Sequence, residues 1–137
     1  MDELIDARLI IFGDRHWDDW TAIVRCLEPF PRTTILINGR APGADDIAWR
    51  AGKAMGFVAM VSYPAQWEKY GRPAGPIRNQ QMLEALLAGP SDAVRYCIGF
   101  HDAIDASKGT ADMLRRARKA ARNPDYNLTV QLRKHRR

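Results

Sequence analysis

The chain has 137 residues, of which 46% are hydrophobic and 27% charged, as is typical of one soluble globular domain. Its first residues combine acidic side chains with a very short apolar run, and no apolar stretch approaches the ~20 residues of a transmembrane helix. We therefore expect a cytoplasmic protein with neither a signal peptide nor a membrane anchor. Cys26 and Cys97 stand among apolar neighbours without Cys-x-x-Cys spacing, which predicts reduced core thiols.

The net charge of +5 is concentrated at the C-terminus. Four of the last five residues are Lys or Arg, so they contribute +4 and leave +1 for the rest of the chain. We therefore predict one domain over residues 1–132 and a basic C-terminal tail over 133–137. The tail is interpreted as a solvated end, with weak binding of a polyanion such as nucleic acid as the alternative.

Strand-like and helix-like segments alternate along the chain. Short apolar or β-branched runs predict strands, and apolar residues at helical spacing that end at glycine or proline predict helices. This alternation predicts an α/β fold with an open, mostly parallel five-stranded sheet and helices on both faces. The predicted strands are 8–13, 33–39, 57–63, 93–100 and 126–132, and the helices run from about Trp17 to Leu27, over 43–56, from near Pro76 past Leu87, and over 109–122.

The loops after the first four strands are expected to meet at one edge of this sheet, where open parallel sheets bind ligands. Glycine allows a backbone to approach a ligand closely, and the N–H groups at helix starts bind phosphate oxygens. Five cations in these loops suit a ligand with more than one phosphate. The glycines are Gly13, Gly39, Gly43, Gly71, Gly75 and Gly109, and the cations are Arg15, Arg40, Arg72, Arg78 and Lys108.

The segment YGRPAGPIRN (70–79) is an unusual start for a helix. A helix N-terminus already carries partial positive charge, yet Arg78 stands in the predicted first turn. We interpret this helix start, stiffened by Pro73 and Pro76, as built to meet an anion. The alternative is that Arg78 pairs with an acidic residue such as Asp45 or Asp112 and only locks two loops together.

Other loop residues carry weaker signals. The chain has neither the G-x-G-x-x-G fingerprint nor a Walker lysine motif. Trp17 and Trp20 are interpreted as core or interface anchors with base stacking as the alternative, and for Trp67 the two roles stay equally open. His16 and His101 have no second His or Cys at ligand spacing, so we predict no metal site. Nothing in the pattern predicts a cofactor.

Four segments together resemble a known family. IIFGDRHWDD, INGRAPGADDIAWRAGKAMG, PAQWEKYGRPAGPIRNQQM and SKGTADMLRRA occur in the order and spacing of the YspA/YpsA-related branch of the SLOG superfamily. The resemblance covers roughly residues 8–122. Its members are Rossmann-like domains related to LOG-type phosphoribohydrolases and to the core of the DNA-processing protein DprA. It implies that the protein binds a phosphate-bearing nucleotide or nucleotide derivative and acts as a sensor or sequestering protein in phage or bacterial conflict. Because relatives often form dimers, it also implies a homodimer or a higher homo-oligomer.

The resemblance also implies which residues form the site. It implies that phosphate contacts Arg15, Arg78, Lys108, Gly109 and Thr110, while the pocket and its ribose side are shaped by Gly39, Gly43 and Asp45. Asp14 is expected either to bind ribose hydroxyls or to cap the following helix. The remaining predicted ligand contacts are Gly13, Trp17, Ala44 and Asn79.

One departure from the LOG-type pattern bears on catalysis. Those enzymes pair an arginine before a Met-bearing helix with a glutamate in Gly-Gly-x-Gly-Thr-x-x-Glu. Arg78 with Met82 resembles the first half, but the second half reads ASKGTADM, with Met113 at the glutamate position. Methionine cannot stabilise an oxocarbenium ion, so we predict binding without turnover. The alternatives are a nucleotide N-glycosidase that uses Arg78 with Asp112 or Asp45, and a nucleic-acid-binding protein that uses its Arg-rich tail.

Overall fold

The computed structural model describes residues 6–135. Within this range, no helix combines the length and the apolar character needed to cross a membrane. The strands are β1 (Ala7–Gly13), β2 (Ile35–Asn38), β3 (Ala59–Ser62), β4 (Val94–Phe100) and β5 (Leu128–Arg133). The α-helices are α1 (Trp20–Leu27), α2 (Ala44–Met55), α3 (Trp67–Tyr70), α4 (Ala74–Leu87) and α5 (Lys108–Ala121), and single 3-10 turns lie at Ile104–Ala106 and Pro124–Tyr126.

The five strands form one sheet in the order β3-β2-β1-β4-β5, and every neighbouring pair is parallel. This confirms the predicted Rossmann-like α/β fold. From β1 the chain builds outward to β2 and β3, and it then returns to the other side of β1 for β4 and β5. The order of strands therefore reverses between β1 and β4, and open sheets of this kind bind ligands in the crevice beyond that point.

Two apolar cores cover the two faces of the sheet. In β1, Leu9 and Ile11 face α1 and α2, whereas Ile10 and Phe12 face α4 and α5, as the two-residue period of a strand requires. Such near-continuous burial explains why β1 reads as an uninterrupted apolar run. Both cysteines are buried free thiols, as predicted, and burial raises the pKa of each.

Helix α4 begins earlier than predicted. Its first residue is Ala74 rather than Pro76, so Arg78 lies in the second turn instead of the first. The prediction took Pro76 as the first residue of the helix because proline lacks an N–H group. Any position in the first turn can accommodate that loss, since the N–H groups there have no intrahelical acceptor.

A buried arginine holds the C-terminal end of α4. Arg95 is only 2% exposed although it lies within β4. Its guanidinium donates to carbonyl oxygens at the end of α4 and in the following turn, and also to the carbonyls of Ala93 and Tyr126. A helix leaves its last carbonyls without intrahelical donors, and Arg95 supplies these donors from the neighbouring strand.

The chain folds back onto the core after β5. Arg133 is the last residue of β5, so the predicted boundary of the tail falls inside this strand. The His135 ring stacks on Trp17 with their centroids 3.8 Å apart, and its backbone N–H donates to Asp102 Oδ1 at 2.7 Å. The side-chain hydrogen bond to Asp102 raises the pKa of His135. Arg136 and Arg137 of the predicted tail lie outside the described residues.

Candidate functional site

A cleft of about 1070 Å³ opens at the carboxyl ends of β1 to β4. It lies where the strand order reverses, the place expected for a ligand in this fold. The loop after β1 lines it with residues 14–16 and the loop after β2 with 39–42. The chain after β3 contributes Pro64, Ala65, Trp67, Arg72, Gly75, Pro76 and Arg78, and the chain after β4 contributes His101, Ala103 and 106–110.

The structure brings all five predicted cations to this cleft. Asp14 is the one acidic residue among the lining residues described, so the walls carry a strong excess of positive charge. The cations converge from the segments that follow four separate strands, because a parallel sheet places the ends of all its strands at one edge. They are Arg15, Arg40, Arg72, Arg78 and Lys108.

Asp14 shapes its own loop beside the cleft. Its Oδ1 accepts the backbone N–H of His16 at 2.8 Å, which closes a tight turn after β1. The alternative that Asp14 caps the following helix is wrong, because the N-cap of α1 is Asp19, whose Oδ1 accepts the N–H of Ala22. Asp14 lines the cleft, so its predicted contact with ribose hydroxyls stays a prediction.

The first turn of α5 opens onto the cleft. Ser107 caps the helix by accepting the N–H of Thr110 through Oγ at 3.2 Å, and its carbonyl accepts the N–H of Ala111. Within residues 6–135, the backbone N–H groups of Lys108 and Gly109 have no acceptor. A Cβ added to Gly109 would meet no atom within 4 Å. Two backbone donors and a lysine thus face open space where the helix carries partial positive charge.

Arg78 connects α4 to the loop after β2. Its Nη1 donates to the carbonyl of Gly39 at 3.0 Å, and its Nε donates to Asn79 Oδ1 at 3.1 Å. The third nitrogen, Nη2, has no acceptor among the described residues, and the side chain lines the cleft. Any side chain at Gly39 would collide with this guanidinium. Arg78 is therefore held in place with one edge available to a ligand.

Asp45 lies buried beneath this arginine. It is 4% exposed, and its Oδ2 accepts the N–H of Gly39 at 3.1 Å. Burial raises the pKa of Asp45 to about 6, although the positive charge of Arg78 and backbone hydrogen bonds act in the opposite direction. The same burial lowers the pKa of Arg78, and Asp45 opposes that change. Among the described residues, no ion pair joins Arg78 to Asp45 or Asp112, unlike the pairing that the alternative interpretation proposed. Arg78 and Asp45 instead bind the carbonyl and the N–H of Gly39, so both hold the loop after β2 in place.

We expect Asp45 to make stability depend on pH. The folded state holds this proton up to about pH 6, whereas an unfolded aspartate releases it near pH 3.9. The folded state therefore binds more protons in this window, and the free energy of unfolding falls as the pH rises from about 4 to about 6, by roughly 2–3 kcal/mol. Urea unfolding at pH 4 and pH 7 should show this loss in the wild type relative to Asp45→Asn. Equal pH dependence in the two proteins would contradict it.

Asn79 and Asp112 form a second buried connection. Asn79 Nδ2 donates to the carbonyl of Gly109 at 3.2 Å and to Asp112 Oδ2 at 3.0 Å. The same carboxylate pairs with Arg115 and Arg116 of its own helix. Neither Asn79 nor Asp112 is among the cleft-lining residues, and together they fix the start of α5 relative to α4.

The remaining predicted site residues lie behind the cleft wall. Trp17 is 3% exposed in the core, and its Nε1–H donates to the carbonyl of Asp19. Gly43 has a φ of +79°, and a side chain there would collide with the backbone of Asp14 and Arg15. Gly13 and Ala44 are likewise absent from the lining. Met113 packs in the core between α5 and the sheet.

Some cleft residues are not among the predicted ligand contacts. Trp67 is exposed on the cleft wall, and His101 lines it while Nδ1 accepts the N–H of Ala103 at 2.9 Å. Arg40, predicted only as a loop cation, lies over the Trp49 ring at 4.5 Å. The sequence left base stacking and an anchoring role equally open for Trp67, and the structure exposes its side chain on the cleft wall. Within the described part of the chain, no three His, Cys, Asp or Glu side chains are grouped so as to hold a metal ion.

Comparisons with known proteins identify a family and a phage relative. Residues 7–70 match the model of the family described as "YspA, cpYpsA-related SLOG family". "Gene 61 protein" of Mycobacterium phage D29 is 35% identical to this chain over 121 residues, which cover 82% of this chain and 90% of the phage protein. No solved structure matches the chain significantly.

Proposed function

This chain belongs to the YspA- and cpYpsA-related SLOG family, and we propose that it binds a phosphate-bearing nucleotide or nucleotide derivative in the cleft. The observation that carries the proposal is the convergence of five cations on one cleft beside the open first turn of α5. Cations and helix N-termini both favour phosphate, and a ligand with several phosphates can contact several of them at once.

We propose that the ligand is bound without turnover. The two carboxylates considered for catalysis have other partners: Asp45 is buried against the Gly39 loop, and Asp112 pairs with two arginines. Position 113, the glutamate position of LOG-type enzymes, lies in the apolar core. A sensor or sequestering role follows from binding without chemistry, and a phage relative agrees with a setting in phage or bacterial conflict.

Calorimetry with ADP, AMP and adenosine tests the proposal. We expect affinity to rise with the number of phosphates and to fall with added salt, because charge-assisted contacts are screened. Lys108→Ala should weaken ADP binding by up to about fivefold, since Lys108 is exposed and a solvent-screened ion pair contributes up to about 1 kcal/mol.

Lys119→Ala is the matched control. It removes the same side chain from the same helix, but Lys119 is exposed in the last turn of α5 and does not line the cleft. It should leave ADP affinity unchanged. Equal effects of the two substitutions would argue for diffuse attraction, and failure of all three compounds to bind the wild type would contradict the proposal. Chromatography of the same AMP samples should detect no free base, and base release would instead favour the glycosidase.

A further inference from the structure

An exposed tryptophan lies on one wall of the cleft. Trp67 begins the short helix α3 and is 58% exposed, although tryptophan is the largest apolar side chain available to the core. Single exposed apolar residues are common on protein surfaces. Trp67 differs from the other exposed large apolar side chains described, Trp20, Val58 and Val61, because it alone lines the cleft.

The cleft wall around Trp67 is largely uncharged, with Arg72 as the cation between Trp67 and the start of α4. Pro64, Ala65, Gly75 and Pro76 line the same part of the cleft and carry no charged or side-chain polar group. A Cβ added to Gly75 would lie 3.5 Å from Cη2 of Trp67, so the end of the indole ring rests over the start of α4. A largely apolar wall, bordered by Arg72, thus stands within a cleft otherwise rich in arginine and lysine.

The strand order separates this wall from the start of α5. Trp67 follows β3 at one edge of the sheet, whereas Lys108 and Gly109 follow β4, three strands away. Neighbouring strands lie about 4.8 Å apart, which puts roughly 14 Å between the two loops at the sheet edge. Arg78 lies between them through its contact with the loop after β2. The cleft therefore has an aromatic end and a phosphate-binding end, with Arg78 near the middle.

We propose that Trp67 is the stacking platform for the base of the nucleotide, which rests on the function proposed above. The base lies on the indole at the β3 end, and the phosphates extend past Arg78 toward the first turn of α5. Stacking on an aromatic ring accepts any base, because every base has a π-face. Trp67 therefore selects for nucleotides over sugar phosphates and inorganic phosphates, and it favours the larger purines.

Binding of ADP and of inorganic pyrophosphate, measured by calorimetry on the full chain, separates the base from the phosphates. Trp67→Ala should weaken ADP binding about 5- to 150-fold, as expected for loss of one base–aromatic stack. It should leave the affinity for pyrophosphate, which has no base, unchanged. Trp67→Phe should retain most of the ADP affinity. ADP should also quench tryptophan fluorescence in the wild type, and the quenching should be lost in Trp67→Phe.

Trp20→Ala provides the matched control, since Trp20 is a second exposed tryptophan (46%) that does not line the cleft. It should change neither affinity. The stacking role is overturned if Trp67→Ala binds ADP as the wild type does, or if it weakens ADP and pyrophosphate equally. Each of these results leaves phosphate binding by the cleft intact. If the wild type binds neither ADP nor pyrophosphate, the proposed function is overturned, and the stacking role with it.

Discussion

Arg78→Ala should weaken ADP binding about 10- to 150-fold, because a charge-assisted hydrogen bond to phosphate contributes about 1.5–3 kcal/mol. The side chain is already held by Gly39 and Asn79, and its Nη2 edge has no acceptor among the described residues. A ligand therefore meets an arginine that loses little conformational freedom on binding. Arg78→Lys should recover only part of the affinity, since an ammonium group cannot reproduce the planar guanidinium. Titration calorimetry measures both effects.

The same substitution should also lower stability, by about 1–2 kcal/mol at pH 7. Arg78 supplies the positive charge that acts on the buried carboxyl of Asp45. Without it the pKa of Asp45 rises further and the group takes up a proton, which limits the loss. Adding Asp45→Asn to Arg78→Ala should therefore restore stability without restoring ADP affinity.

Stability and ADP affinity, measured for Arg78→Ala and for a control variant, decide whether Arg78 binds the ligand or only supports the fold. Arg50→Ala is the control, because Arg50 is exposed on α2, pairs with Asp46 and does not line the cleft. It should change neither stability nor affinity by a measurable amount. If Arg78→Ala unfolds at lower urea concentration yet binds ADP like the wild type, Arg78 belongs to the scaffold alone.

Arg95→Met should destabilise the fold by about 4 kcal/mol or more, an exceptional value for one substitution. Methionine fills similar volume but donates no hydrogen bond, so the carbonyl oxygens at the end of α4 are left buried without a donor. Each such group costs about 1–3 kcal/mol. The shortest hydrogen bonds that the guanidinium makes join Arg95 to the carbonyls of Leu86 at 2.7 Å, Tyr126 at 2.8 Å and Pro90 at 2.9 Å.

Urea unfolding followed by circular dichroism tests this expectation. Arg118→Met is the matched control, because Arg118 is exposed on α5 and such substitutions usually change stability by less than about 0.5 kcal/mol. A destabilisation below about 1 kcal/mol in Arg95→Met would show that water or a shifted chain satisfies the carbonyls instead. Where the variant is too unstable to purify, the milder Arg95→Lys, which retains donors for some of these oxygens, should be intermediate.

The fold class and the location of the cleft could both be predicted from sequence patterns. Apolar runs such as 8–13 specify buried parallel strands, and strands that alternate with helices can be connected in few ways. Once the sheet is parallel, the loops that carry Arg15, Arg40 and Lys108 must meet at one edge. Local periodicity and chain order therefore predicted the convergence of the cations, with no knowledge of any long-range contact.

Long-range packing determines which side chains face the cleft and which hold it together. Consecutive helical residues point about 100° apart, so Asp112 turns toward Asn79 and Met113 toward the core, although the two are neighbours in the chain. Asp112 accepts a hydrogen bond from Asn79, and the charge of Arg78 acts on Asp45. Each of these pairs is separated by 33 residues in the chain, and no local pattern encodes such pairs. Trp17 and Trp67 both follow a strand, yet one is buried and the other exposed at the cleft, because the elements packed around each side chain set its exposure.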